Sequence, residues 1–340
     1  MKNPRPFTRF FLFLLLIAIY TTSCSGFSKD ADFFNGKTVT IVVPHGAGGG
    51  MDAYAQLIAP FLQKYLPGSR VVVNTIPDAG GLAGKNLVFA AQPDGLTLLF
   101  TSGAGTLLAE WAGQPDVQYR TAEFSWLGRI NAEAHIMAVS PTFKYLQLAD
   151  IINAGKLSMS FAGVSTDDYY VALVTAQLLG YNVQAHTEYQ STDDASRACA
   201  KGEVDAIQLS NSSIEPQIMA QTLVPVVSFS TQRAANLPNT PTILEIVPPD
   251  KQKVALALVQ IYQLDRNFLA PPNMSAARLQ TLREALDQAM ADPELRKNME
   301  QMGRPVDYLP GAETEKLFQN ILASREQIQP LVYKIMLDSN

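Results

Sequence analysis

Histidine and cysteine are scarce in this 340-residue chain, with three of the first and two of the second. His45, His135 and His186 lie too far apart for a metal-ligand spacing or a recognisable triad, and no Gly-x-Ser-x-Gly elbow exists. No catalytic residue, cofactor or metal is therefore expected. A basic excess is missing too. Lys and Arg total 26 against 31 Asp and Glu, a formal net charge of −5, which argues against nucleic acid as a partner. Internal repeats and low-complexity segments are absent. The amino-terminal apolar run, residues 10–20, is shorter than the ~20 residues that a membrane span needs.

That run follows Lys2, Arg5 and Arg9, which together give a signal peptide over residues 1–23 and hence an exported protein. Thr21-Thr22-Ser23-Cys24 resembles a bacterial lipobox whose cysteine is acylated, although Thr21 stands where leucine is usual. Ordinary cleavage a few residues later is the alternative. Residues 24–35 read as a polar tether. With Cys24 acylated no intramolecular disulfide forms, and Cys199 reads as a small buried helix residue.

The mature chain is long enough for two domains. Strands at 38–43, 70–74 and 96–101 alternate with helices at 53–65 and 82–91, a pattern of parallel β/α winding whose ligands bind at the carboxyl ends of strands. A second set follows, with strands at 136–140, 157–161, 182–186, 205–209 and 223–229 and helices at 146–154, 168–179, 193–201 and 213–220. Helices at 275–291, 294–302 and 312–327 close the chain. Two glycine clusters stand between strand and helix: Gly46 and Gly48–Gly50, then Gly80, Gly81 and Gly84. Such turns accept positive φ and leave backbone N–H groups open to a carboxylate or phosphate at a helix's positive end. Asp52, in the first turn of the helix, would complement the dipole and pin its loop.

The order of these motifs is specific. Pro44 through Asp52, Val73-Asn74 followed by Ala79-Gly80-Gly81, Pro93-Asp94-Gly95, Gly202-Glu203-Val204-Asp205, Leu237-Pro238-Asn239-Thr240-Pro241-Thr242 and Phe268-Leu269-Ala270-Pro271 run through nearly all of the mature chain. The series resembles the solute-binding receptors of tripartite tricarboxylate transporters, the Bug family. The resemblance implies an α/β fold of the type II periplasmic-binding-protein kind, with two lobes, each a mixed, mainly parallel sheet flanked by helices. Lobe 1 is then discontinuous, 36–102 and 230–340, and lobe 2 spans 103–229. It implies a monomeric receptor, periplasmic or otherwise extracytoplasmic, that captures a small organic acid and hands it to membrane permease subunits.

The ligand-binding set expected from lobe 1 is His45, Gly48, Gly49, Gly50, Met51, Gly80, Gly81, Leu82, Thr101 and Ser102. Lobe 2 adds Ser165, Thr166, Asp167, Tyr189 and Asp205. Several carry a second reading. Ser165 and Thr166 could simply cap a helix, Tyr189 could be a wall residue, and His45 could stack on ligand or line the turn. Asp167 and Asp168 stand where the family usually supplies neutral donors. They would hold a ligand amine or repel a second carboxylate, unless they are solvent-facing caps. Two rival functions remain. A sensing subunit for a signalling partner is indistinguishable by sequence, whereas a dinucleotide oxidoreductase is disfavoured because Met51 occupies the place of the third glycine of its fingerprint.

Overall fold

The computed structural model describes residues 31–338. The signal-peptide and lipobox readings of residues 1–23 and Cys24 fall outside the described residues. Eleven strands are described: β1 (Thr38–Val43), β2 (Arg70–Thr75), β3 (Thr97–Ser102), β4 (Ser125–Asn131), β5 (His135–Val139), β6 (Lys156–Ser160), β7 (Asn182–His186), β8 (Ala206–Ser210), β9 (Val224–Phe229), β10 (Arg266–Ala270) and β11 (Leu309–Pro310). They form two sheets, ordered β11-β4-β10-β3-β1-β2 and β7-β6-β8-β5-β9. The fold is α/β and two-lobed.

The first sheet starts as the sequence pattern requires. β1 pairs in parallel with both β2 and β3, placing Ile41 opposite Val73 and Leu98. β10 then enters antiparallel between β3 and β4, so the sheet is mixed. In the second sheet β6 is parallel to β7 and β8, while β5 runs antiparallel to β8 and β9. Helices begin just past the carboxyl ends of β1, β3, β6, β7 and β8, and the five starts point toward one crevice between the sheets.

Two boundaries differ from the sequence reading. β4 belongs to the first sheet, so the chain crosses between lobes at 132–134 and not near residue 103. The strand pattern there is masked by Arg129 and Asn131, buried polar residues that donate to Asp307 and to the Tyr54 hydroxyl. The second difference is the tether. Residues Ala31–Phe34 form a 3-10 turn, and Phe34 is fully buried with Ile41, Tyr54 and Phe268 in the core of the first sheet. At the other end the helix expected over 312–327 is two helices, Gly311–Leu322 and Arg325–Asp338. Ser324 Oγ donates to Ile321 O and closes the first of them. The second packs on helices Gly103–Ala112 and Asp167–Leu179, one from each side of the crevice.

Because Phe34 is core and not tether, Phe34→Ala should lower unfolding stability by about 3 kcal/mol. Denaturant unfolding checks this, and a loss within about 0.5 kcal/mol would mean that the segment is only a tether.

Candidate ligand-binding site

Short polar side chains cap three of the five helix starts. Ser102 Oγ accepts from Gly105 N, Thr166 Oγ1 from Tyr169 N and Ser191 Oγ from Asp194 N, each satisfying a backbone donor that has no intrahelical partner. The helix Gly50–Tyr65 has Gly49 as its cap with no side chain, and Asn211–Met219 follows Ser210. Gly49, Ser102, Thr166, Thr192 and Ser210 all line one small cavity. Helix N-termini carry partial positive charge, so five of them around one cavity form a site for an anion. The cavity measures about 40 Å³, room for a few waters, and the two lobes touch around it.

The glycine loops make that contact. Gly48, at φ +86°, donates its N–H to Asp52 Oδ2 at 2.9 Å, so Asp52 pins the first loop. Gly46 N donates across the crevice to Gln190 O at 2.8 Å. The second loop is different. Ala79, Gly80 and Gly81 all have positive φ, and a Cβ on Gly80 would lie 2.8 Å from Val164 N. This loop seats directly on lobe 2 backbone instead of leaving its amides open. Lys85 fastens it, donating to Ser165 O at 2.8 Å and Ser165 Oγ at 3.0 Å, while Ser165 Oγ donates to Gly80 O.

Beneath the helix ends lies a charged floor. His135, first residue of β5, holds Asp168 Oδ1 at 2.6 Å through Nδ1 and stacks on Tyr262 with ring centroids 3.8 Å apart. Its Nε2 is 3.7 Å from Asp265 Oδ2, too far for a hydrogen bond. Arg266 donates to Asp265, to Glu133 Oε1 at 2.8 Å and to Ser210 Oγ at 2.7 Å, with its guanidinium over the Tyr54 ring. Asp167 is 5% exposed and its Oδ2 has no partner.

These surroundings move the titrations. Burial, then the Asp168 charge, raise Asp167 to about 7. Burial opposes charging of His135, but Asp168, with Asp265 and Asp167, outweighs it and holds the imidazole well above its usual range. Burial and Lys85 lower His45 to about 3, leaving a neutral imidazole whose Nδ1 is unpartnered. Burial likewise lowers Lys85 to about 7.

Similarity to known proteins bears on what this crevice is. The family model described as tripartite tricarboxylate transporter family receptor matches residues 55–334. The chain belongs to that family. A UPF0065 protein of Pseudomonas sp. (strain P51) is 25% identical over 330 residues, covering 95% of this chain and 94% of that one. The Bordetella pertussis protein BugT is 23% identical over 229 residues, 65% of this chain and 69% of that one. Among solved structures, the periplasmic binding protein BugD has the same fold, with a TM-score of 0.71 at 22% identity over 87% of this chain and 97% of that chain. MatC from Rhodopseudomonas palustris with bound malate gives a TM-score of 0.73 at 21% identity over 87% and 99%.

Within this receptor, His45, Gly49, Gly50, Met51, Ser102, Thr166 and Asp167 line the cavity. Gly48 borders a small side recess with Arg304. Gly80, Gly81 and Ser165 are closure residues, occupied by contacts between lobes. Leu82 and Thr101 are buried away from the cavity, Leu82 in the core and Thr101 inside the first sheet. Tyr189 packs on the cluster around Ile136 and Cys199, as a wall residue. Asp205 is also displaced from the expected cleft: its Oδ2 accepts from Ser158 N and ties β6 to the start of β8. Thr166 combines both of its readings, capping its helix while lining the cavity. Asp167 and Asp168 are not solvent-facing caps, since both are buried in the floor. His135, Ser210, Asp265 and Arg266 were missed by the sequence reading, which had no motif for them.

The Lys85 latch has a pH signature. Its pKa in the closed form is about 7 against an ordinary 10.5, so a lysine that meets water when the lobes part must shed a proton on closing. Stability of the closed form from this group is complete above the ordinary value and lost as pH falls through the lowered one. Closure should therefore strengthen as pH rises between these two values, and Lys85→Met should flatten that rise. Small-angle scattering of both proteins across the window measures it; parallel profiles would remove Lys85 from the latch.

Proposed function

We propose that the protein is an extracytoplasmic receptor that captures a small organic acid between its two lobes and delivers it to the permease subunits of a tripartite tricarboxylate transporter. The observation that carries this reading is the convergence of five helix N-termini on one enclosed cavity. Partial positive charge from backbone attracts a carboxylate whatever the net charge of the chain, because it acts within about one helical turn. Two proteins of the same fold, at 21% and 18% identity, hold malate and adipate, which supports a carboxylate of a few carbons. A ligand of that size exceeds the present cavity, so binding requires the lobes to part and close again. Export by the signal peptide, an anchor at Cys24 and a monomeric state complete the proposal, and no helix among the described residues is long and apolar enough to cross a membrane.

No reaction on the ligand is part of it. The His135–Asp168 pair resembles two members of a hydrolytic triad, but a nucleophile would have to stand at His135 Nε2. The neighbour there is the Asp265 carboxylate. A sensing role would use the same binding geometry and differ only in the partner that reads closure.

Calorimetric titration with a series of short dicarboxylates tests the capture step. Wild type should bind at least one. Gly49→Val should weaken that binding more than tenfold, about 1.4 kcal/mol, because a side chain there grows toward Thr192 Oγ1, 3.2 Å from the Cβ position. Its melting temperature without ligand should change less. Normal binding by the variant would show that the loop only turns the chain.

A further inference from the structure

The cavity floor has more negative charge than a carboxylate receptor needs. Glu133, Asp167, Asp168 and Asp265 face Arg266 and His135. Lys85, Arg129 and Arg304 also act on these carboxylates from neighbouring elements, yet Asp167 Oδ2 and His135 Nε2 keep no hydrogen-bond partner. Such a floor calls for a cation that arrives with the ligand.

The donor arrangement specifies which kind. His135 Nε2 and Asp167 Oδ2 are buried, on residues 2% and 5% exposed, and neither has a hydrogen-bond partner. Together with an Asp265 carboxylate oxygen they form a group of three donor atoms lying within 4.8 Å of one another. The Nε2 to Asp265 Oδ2 distance, 3.7 Å, is already near the roughly 3.4 Å separating two ligands of a tetrahedral ion at about 2.1 Å from each. His135 also has the support that metal-binding histidines commonly have, since Asp168 takes its other ring nitrogen and aims Nε2 at the floor. Tyr262 stacked on the ring holds that orientation. Arg266 keeps Glu133 and Ser210 as partners when Asp265 turns to an ion.

We propose that His135, Asp167 and Asp265 bind one divalent transition-metal ion, whose open coordination position takes a carboxylate of the ligand. One imidazole nitrogen with two carboxylates suits zinc or a neighbouring first-row ion better than calcium or magnesium, which prefer all-oxygen shells. Three protein ligands leave one tetrahedral position for an exogenous oxygen. The ion also joins residues of lobe 2 to Asp265, which precedes β10 of the first sheet, so it favours the closed form. The second half of the proposal rests on the carboxylate-receptor reading; the metal site does not.

The test uses mature, tag-free protein stripped with a chelator and dialysed. Titration with zinc chloride should give one site with micromolar or tighter affinity, and cobalt(II) should give the intense visible absorption of a tetrahedral site. His135→Gln and Asp167→Asn should each weaken zinc binding at least tenfold. Asp167→Asn keeps the shape of the side chain, so it guards against a loss that reflects only misfolding of the histidine variant. His186→Gln, which alters a half-buried histidine beside Glu188 and outside the cavity, should leave the site intact. A stripped wild type that fails to bind zinc, or a site that survives both floor variants, overturns the metal assignment. Dicarboxylate titrations are then repeated on stripped and zinc-loaded protein, with at least tenfold tighter binding expected in the loaded form. Equal acid affinity in the two forms overturns the coordination of ligand by the ion and leaves the receptor reading standing. Zinc binding with no acid binding in either form leaves the metal site standing and overturns the carboxylate reading.

Discussion

The Asp265–Arg266 pair at the start of β10 is the constraint around which the two lobes are arranged. Arg266 reaches Glu133 in the first crossing and Ser210 at the end of β8, while Asp265 faces His135 at the start of β5. One short stretch of chain thus touches the crossing at 132–134 and both sheets. Buried charges of this kind add little net stability when paired, but losing one partner commonly costs about 3 to 5 kcal/mol because the other is left uncompensated. The network therefore acts as a registration device: relative lobe positions that separate these groups without water or ligand to replace them are unfavourable.

Above that floor the backbone supplies the opposite sign. Five helix starts bring partial positive charge to a cavity whose floor is acidic, so the two ends of a bound molecule meet different chemistry. An anion belongs against the caps at Gly49, Ser102 and Thr166, and a cation against Asp167 and Asp265. Closure brings the two halves together through backbone. Gly46 pairs with Gln190, and Gly80 lies against Gly163 and Val164 at distances that leave no space for a Cβ.

Much of this was legible in the sequence, and for identifiable reasons. Strands β1 and β7 match the expected bounds, and most of the others are within a residue, because β-branched runs bounded by glycine or proline leave few alternatives. The glycines before the helix Gly50–Tyr65 and the capping hydroxyls announced the anion-binding half of the cavity. The acidic floor was not legible. β10 begins Arg266-Asn267, which reads as loop until the strand is seen buried between β3 and β4. His135 and Asp265 are 130 positions apart in the numbering, so no spacing rule pairs them, and the expectation that no metal binds rested on spacing alone. Asp205 was misplaced for the converse reason, and Tyr189 took the second of its two readings, since motif position says nothing about which side of a strand or loop a side chain takes.

Native mass spectrometry of freshly purified mature protein reads closure over a small acid directly. Spectra under gentle conditions should show a mass increment matching a short organic acid, alone or with one metal ion, and the increment should vanish on activation in the gas phase. Protein that carries no such increment, and acquires none after incubation with a broad set of short carboxylic acids and zinc, would contradict the central claim.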